Sequence, residues 1–180
     1  MDGCDKLVAA GRRAFFARTA AVAAGAVATA ALPAERAKAA GGPALALVTY
    51  PAHRLANLKD LKVDSPIVVA YPDDDSPGVL LKLGSRVEGG VGPDGDVVAF
   101  STLCPHKGFP LFFRADDRTL SCPGHYSRFD VEKGGQEIWG HATQNLPQFR
   151  LRVDASGDIY AVAVDELIYG RLSNVLGGLS

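Results

Sequence analysis

Two short segments, CPHKG at Cys104–Gly108 and CPGHYS at Cys122–Ser127, decide how this chain of 180 residues folds and what it binds. Each segment carries one Cys and one His, and fifteen residues separate His106 from Cys122. Each also has a Pro directly after its Cys and a Gly close by. Because proline fixes the backbone φ angle and glycine permits close backbone approach, both segments are predicted to be tight loops. Thiolate and imidazole donors on two matched loops predict a metal centre.

The candidate ligands are Cys104, His106, Cys122 and His125. A [2Fe–2S] centre in which two His replace two Cys on one iron uses this donor set, with a reduction potential of roughly −150 to +300 mV against about −400 mV for all-Cys plant-type centres. Structural zinc is the alternative, but its common pattern places two Cys in one motif and two His in the other. One Cys and one His per loop favour one [2Fe–2S] cluster per chain, with the thiolates on a buried iron and the imidazoles on an outer iron.

Groups beside metal ligands orient those ligands and tune the metal. Four neighbours of the candidate ligands are predicted to act in this way: Lys107, Gly108, Tyr126 and Ser127. The first three would donate backbone amides to sulfur. The Ser127 hydroxyl would reach a bridging sulfide, although an ordinary turn serine explains its position equally well. For His141, which follows Trp139-Gly140, a structural role is favoured over the alternative of an approach to the site, and His53 is expected on the surface or in a turn.

Charge and cysteine content exclude several classes of protein. The chain has a formal charge of −1, but residues 1–39 hold six basic and three acidic side chains, against 13 and 17 in residues 40–180. Nucleic-acid binding requires basic side chains clustered on one face, and this distribution of charge does not predict such a face. The three cysteines are Cys4, Cys104 and Cys122. With two of them assigned to the metal, no pair remains for a disulfide within the domain.

The N-terminus reads as an export signal. Arg12-Arg13 is followed by an Ala-rich apolar run, Thr19–Leu32, and then by the small residues of a cleavage site at Ala37–Ala39. This order predicts a Tat signal peptide over residues 1–39, a domain over residues 40–180 and a periplasmic location. An uncleaved signal would leave the protein associated with the membrane, but the run is shorter than the ~20 apolar residues of a spanning helix.

The rest of the chain predicts an all-β fold. Short runs rich in β-branched residues are broken by turn residues, at 45–50, 67–71, 79–83 and 97–101. Phe149, Leu151 and Val153 alternate with arginines, and a turn joins this strand to a second one at 159–164. The two metal loops then form an insertion, at about 102–147. The predicted architecture is an antiparallel β sandwich or barrel base with an inserted, loop-rich cluster-binding subdomain. The last segment, 165–176, has apolar residues at near-helical spacing and is expected to pack on its own domain.

From about residue 45 to residue 164, the chain resembles the Rieske protein family, and within it the small Rieske subunit of bacterial arsenite oxidase. The motifs that carry the resemblance are Cys104–Gly108, Cys122–Asp130, Gly134–Gln136, Ala142–Gln148 and Glu166–Arg171. The resemblance implies a large catalytic subunit with molybdopterin and a further iron–sulfur cluster, where arsenite is oxidised to arsenate. This chain would pass the electrons singly to a periplasmic cytochrome c or copper protein. It would be the electron-transfer subunit of the enzyme, with no substrate chemistry of its own.

Two departures separate the chain from quinol-oxidising members of that family. The resemblance implies that quinol-oxidising members carry one extra Cys in each loop and that a disulfide joins these two residues. At the matching positions this chain has Phe109 and Gly124. Those members also carry a Tyr that bonds a ligand sulfur where this chain has Phe129, which predicts a lower reduction potential here. The Rieske subunit of a quinol–cytochrome c oxidoreductase remains the alternative function. A ferredoxin or oxygenase component is less favoured, because such proteins are normally cytoplasmic.

Overall fold

The structure is a computed structural model that describes residues 49–175. The predicted signal peptide, Cys4 and most of the strand predicted at 45–50 lie outside these residues, so they stay predictions. So does the domain boundary at residue 40. Within the described part of the chain, no helix has the length and apolar character needed to cross a bilayer.

The base of the molecule is a six-stranded antiparallel sheet with the strand order β1-β10-β9-β4-β3-β2. Its strands are β1 (His53–Asn57), β2 (Ile67–Ala70), β3 (Pro77–Lys82), β4 (Val97–Ser101), β9 (Gln148–Val153) and β10 (Asp158–Val164). The turn predicted between β9 and β10 is present, because Gly157 N donates to the Asp154 carbonyl oxygen at 3.0 Å. The strands predicted from β-branched runs therefore match β2, β3 and β4, and the alternating pair matches β9 and β10.

A second antiparallel sheet of four short strands lies between β4 and β9 in the sequence, in the order β5-β6-β7-β8. Its strands are β5 (Phe112–Arg114), β6 (Thr119–Ser121), β7 (Arg128–Asp130) and β8 (Gln136–Trp139). The only helical turns among the described residues are two short 3₁₀ helices, Leu58–Asp60 and Val131–Lys133. The all-β prediction is confirmed, and so is the insertion, which contains a small sheet where mainly loops were expected.

Strands β3 and β4 separate two hydrophobic cores, because successive side chains of a strand point to opposite faces. Leu81 and Phe100 face the first core, which extends into the inserted sheet and also holds Cys104 and Cys122. On the other face, Leu80 belongs to the second core, with residues from β9 and β10. The metal loops therefore rest on a buried apolar layer that the base sheet provides.

The structure places both ends of this fold. His53, expected on the surface or in a turn, is partly exposed at the start of the edge strand β1, which pairs with β10. Residues 165–175 form bends and turns, so the near-helical spacing of apolar residues there does not mark a helix. Ile168 in that segment is fully buried in the second core, so the expected packing on its own domain is found.

Candidate metal centre

Both metal loops are closed by their own backbone hydrogen bonds. In the first loop, Cys104 N donates to the Phe109 carbonyl oxygen at 2.9 Å, and Gly108 N donates to the Cys104 carbonyl oxygen at 2.7 Å. In the second, Cys122 N donates to the Ser127 carbonyl oxygen at 2.8 Å. The first loop follows β4, and the second connects β6 to β7. Strand ends therefore fix where each pair of candidate ligands lies.

The four candidate ligands are sorted by chemistry, with sulfur inside and nitrogen outside. Cys104 and Cys122 are 1% and 3% exposed, respectively, and both thiols are free. His106 is half-buried and His125 is exposed, with their ring centroids 4.7 Å apart and their planes at 78°. The arrangement is an inner sulfur pair and an outer nitrogen pair.

This division fits two metals that share bridges better than a single ion. Tetrahedral zinc takes all four ligands on one centre, whereas the diiron centre takes two sulfur ligands on one iron and two nitrogen ligands on the other. The inner and outer pairs match the diiron pattern.

One buried atom at the site lacks a hydrogen-bond partner. His106 Nδ1 is buried and bonds to nothing in the protein, although buried polar atoms are nearly always satisfied. Burial lowers the pKa of His106 below its ordinary value, and the neighbouring His125 lowers it further. The neutral imidazole is the form that binds a metal. The residues present therefore fit the [2Fe–2S] group predicted from the donor set.

On the cysteine side of the site, burial shifts a pKa upward, whereas it lowers the pKa of His106. Burial raises the pKa of the Cys104 thiol above its ordinary value, while the backbone amides of His106 and Lys107 oppose that rise. A buried thiolate needs a cation or donors to stabilise it, and a metal supplies the first. The predicted role of the Lys107 amide toward the cluster stays a prediction. The Gly108 amide is already used within the loop, because it bonds the Cys104 carbonyl oxygen.

Ser127 is fully buried, and its hydroxyl oxygen accepts hydrogen bonds from the backbone amides of His141 and Ala142, both at 3.0 Å. Because the oxygen accepts twice, its own hydrogen is left to donate elsewhere. Tyr126, next to it, has a left-handed φ of 63° and is 72% exposed. The hydroxyl thus has a structural role whose geometry also leaves a donor available.

An aromatic contact joins the two loops. A Cβ atom built on Gly124 would lie 3.0 Å from the Phe109 ring, so the ring packs directly on that glycine. The same ring meets His125 edge-on, with the centroids 5.8 Å apart. These are the positions where the resemblance implies a disulfide in quinol-oxidising proteins. A sulfur-free contact stands in its place.

The histidine side opens onto an aromatic groove. Its lining is formed by His125, Tyr126, Trp139, Gly140 and His141. Trp139 is 67% exposed. The His141 ring lies 5.9 Å from that of His106, nearly parallel to it, so His141 sits beside the site as well as bonding Ser127. The structure thus combines the structural role expected for His141 with the less favoured alternative of an approach to the site, because the chain returns to the loops after β8.

Comparison with known proteins decides the family, since residues 52–150 match the model of the Rieske [2Fe-2S] domain. The chain belongs to this family. It is 47% identical over 131 residues to iodate reductase subunit IdrB of Denitromonas iodatirespirans, covering 71% of this chain and 70% of that one. It is 41% identical over 124 residues to IdrB of Pseudomonas sp. (strain SCT), covering 67% of this chain and 64% of the relative.

Solved structures support the same fold. The soluble domain of Rieske protein II (soxF) from Sulfolobus acidocaldarius superposes with a TM-score of 0.58 at 26% identity, over 64% of this chain and 78% of that one. The predicted [2Fe–2S] cofactor and the Rieske fold are therefore confirmed. The two relatives named above are iodate reductase subunits, so the narrower assignment to arsenite oxidase is not confirmed.

Proposed function

We propose that this Rieske domain is the one-electron transfer subunit of a periplasmic oxidoreductase whose large subunit carries molybdopterin and a further iron–sulfur cluster. Cys104 and Cys122 hold the inner iron, and His106 and His125 hold the outer one. The observation that carries the assignment is the buried pair of cysteines next to two outer histidines, of which His125 is exposed and His106 is half-buried with an unpartnered Nδ1. The similarity to two subunits of an oxidoreductase supports the role of a subunit.

The cluster, when bound, takes up and releases one electron at a time. The protein's residues set the conditions for that exchange. The first core excludes water from the cysteine side, so charge added there is stabilised mainly by fixed backbone and hydroxyl donors. Exposure of His125 brings the other side to the surface, where a redox partner reaches it at short range. This chain needs no substrate site of its own.

Two reactions fit such a subunit, and they run electrons in opposite directions. Arsenite oxidation, implied by the resemblance of the sequence motifs, would deliver electrons from the large subunit to this chain and onward to a soluble cytochrome c or copper protein. Iodate reduction, named for both relatives, would draw electrons through this chain to the large subunit. We propose arsenite oxidation first and keep iodate reduction as the second candidate.

The alternative of a quinol–cytochrome c oxidoreductase is less well supported. Phe109 and Gly124 stand where the resemblance implies a disulfide in those proteins, and their direct contact already joins the loops. The twin-arginine segment at Arg12-Arg13 supports export of the folded, cofactor-loaded protein to the periplasm, as a processed or membrane-associated form.

A single-turnover experiment on the purified two-subunit complex separates the reactions. If the enzyme is an arsenite oxidase, arsenite bleaches the visible spectrum of the oxidised Rieske centre within the catalytic turnover time. If it is an iodate reductase, iodate reoxidises the dithionite-reduced centre instead. The chain without its large subunit responds to neither. A complex whose Rieske centre responds to neither reagent contradicts both candidates.

The docking side is tested with Trp139→Ala in the same complex. Removing this exposed ring from the histidine groove is expected to slow reduction or reoxidation of the centre about tenfold, because interfacial Trp residues often contribute more than about 1 kcal/mol. The spectrum and potential of the isolated chain should not change. Val68→Ala, at an exposed edge of the base sheet, is the control and should leave the rate unchanged.

A further inference from the structure

The C-terminal segment Asp165–Val175, here called the tail, lies on the base and also touches the first metal loop. We propose that Tyr169 in this tail is a positioning residue for the cluster: its ring braces the loop Cys104–Gly108 and fixes where His106 stands. The inference rests on the proposed ligand assignment. It adds a brace from a part of the chain that carries no ligand.

The contact is made on the backbone of the loop. A Cβ atom on Gly108 would lie 2.5 Å from Tyr169 Cε1 and 2.6 Å from Cδ1, so the ring fills the space that a side chain would need. Gly108 has a left-handed φ of 69°, and its amide bonds the Cys104 carbonyl oxygen at 2.7 Å. Displacement of Gly108 therefore displaces the turn that contains His106.

A brace works only if it is itself held, and Tyr169 is held on its N-terminal side. The preceding residue, Ile168, is fully buried in the second core. Its amide donates to Asn174 Oδ1 at 2.8 Å, and Asn174 Nδ2 donates to the Glu166 carbonyl oxygen at 2.8 Å. The side chain of Asn174 thus closes the tail into a compact loop with Tyr169 at its outer turn.

On its C-terminal side, Tyr169 is held by an ion pair. The Arg171 guanidinium donates to both carboxylate oxygens of Asp73, at 2.6 Å each, and the Arg171 side chain is largely buried. Such bidentate pairs fix geometry as well as adding energy. Asp73 belongs to the loop between β2 and β3, so the base sheet anchors the tail independently of the metal loops.

A ring that merely covers apolar surface would affect global stability alone, whereas a brace affects the cluster in the folded protein. The two roles are separated with Tyr169→Ala, Tyr169→Phe and the control Leu172→Ala, which removes a fully exposed side chain from the same tail. The holo-protein is assayed for the rate of cluster loss to an iron chelator, the EPR spectrum, the reduction potential and the melting temperature.

We expect Tyr169→Ala to lose its cluster about fivefold faster than the wild type, the consequence of removing the aromatic contact of a residue that is 39% exposed. Its EPR signal should broaden or shift. Tyr169→Phe should restore wild-type behaviour, because the ring and not the hydroxyl meets Gly108, and Leu172→Ala should match the wild type. Arg171→Ala, which releases the tail while keeping the ring, should change cluster loss in the same direction.

The proposal is overturned if Tyr169→Ala lowers the melting temperature but leaves cluster loss, EPR spectrum and potential at wild-type values. If Tyr169→Ala does not yield folded protein, Arg171→Ala decides by the same criterion. Failure of the ligand assignment gives a different result, since substitution of His106 or Cys104 would then leave iron and acid-labile sulfide in place whatever happens at Tyr169.

Discussion

Each sheet has one strand that is buried at every position, β4 in the six-stranded sheet and β6 in the inserted sheet. The sheets differ at their edges, because the edge strands β1 and β2 of the six-stranded sheet have a single exposed residue each. The edge strands β5 and β8 are largely exposed and present Phe112, Ile138 and Trp139 to solvent. The base thus supplies apolar burial, the main source of stability. The insertion buries less and leaves an aromatic, histidine-lined surface exposed, where we propose that a redox partner docks.

The largest expected effect is loss of a metal ligand, which should disrupt the inserted sheet and leave the six-stranded sheet folded. Cys122→Ser replaces a buried thiolate ligand with a weak one, so we expect complete loss of the cluster and of order in the insertion. The base sheet should survive, because its second core does not contain the cysteines. Iron and sulfide analysis with far-ultraviolet circular dichroism measures both. A normal spectrum for Cys122→Ser would refute the ligand set.

A substitution in the second core should lower the stability of the six-stranded sheet and leave the metal centre unchanged. Leu80 is fully buried in the second core, and Leu80→Ala should lower the free energy of unfolding by about 2–5 kcal/mol. The folded fraction should keep a wild-type Rieske spectrum, since the first core is not touched. Chemical denaturation followed at two wavelengths, one for the cluster and one for the protein, checks this. A spectrum altered before unfolding would show that the sheets are not separable.

A smaller effect, on the reduction potential, is expected from a substitution in the first core. Phe129 is fully buried in the core that holds both cysteines, and Phe129→Tyr adds a hydroxyl that can donate to a ligand sulfur. A donor stabilises the reduced, more negative centre, so the potential should rise by about 60 mV, the one-electron equivalent of ~1.4 kcal/mol. Phe149→Tyr, in the other core, should leave the potential unchanged. No rise for Phe129→Tyr would contradict the proposed cause of a low potential.

The smallest effect concerns the ion pair that anchors the tail. The hydrogen bonds from Arg171 hold the pKa of Asp73 below its ordinary value, so their stabilisation is complete above an unfolded pKa of about 3.9 and is lost as pH falls toward the folded value. Asp73→Asn should lower the free energy of unfolding at neutral pH by about 1 kcal/mol, because the carboxylate is partly exposed. The variant's stability should depend less on pH below about 4. The exposed neighbour Asp74→Asn should retain the wild-type profile.

Pattern alone predicted the elements with strong periodicity. The β-branched run at Val97–Ser101 coincides with β4, and the alternation from Phe149 marks β9, because burial on one or both faces imposes those patterns. Strands of three residues, such as Arg128–Asp130, are too short to show a period. His53–Asn57 contains no β-branched residue and is a strand only through its pairing with β10.

The candidate site divides in the same way. Local spacing within two loops was enough to choose the four ligand candidates. The brace from Tyr169, the approach of His141 and the pair between Asp73 and Arg171 depend on contacts between distant segments. The near-helical spacing of apolar residues in the tail does not indicate a helix, because Ile168 is buried while Leu167 and Leu172 are exposed. Gly170, at a φ of 81°, turns the chain directly after Tyr169.

The Phe109–Gly124 contact bears on when the metal loops can close. A disulfide forms and persists mainly in oxidising compartments, whereas an aromatic ring resting on a glycine is indifferent to the surrounding thiol chemistry. Reducing agents that would break a disulfide between the loops do not affect the contact between Phe109 and Gly124. The scaffold can consequently assume its final shape where iron and sulfide are inserted, without waiting for an oxidant.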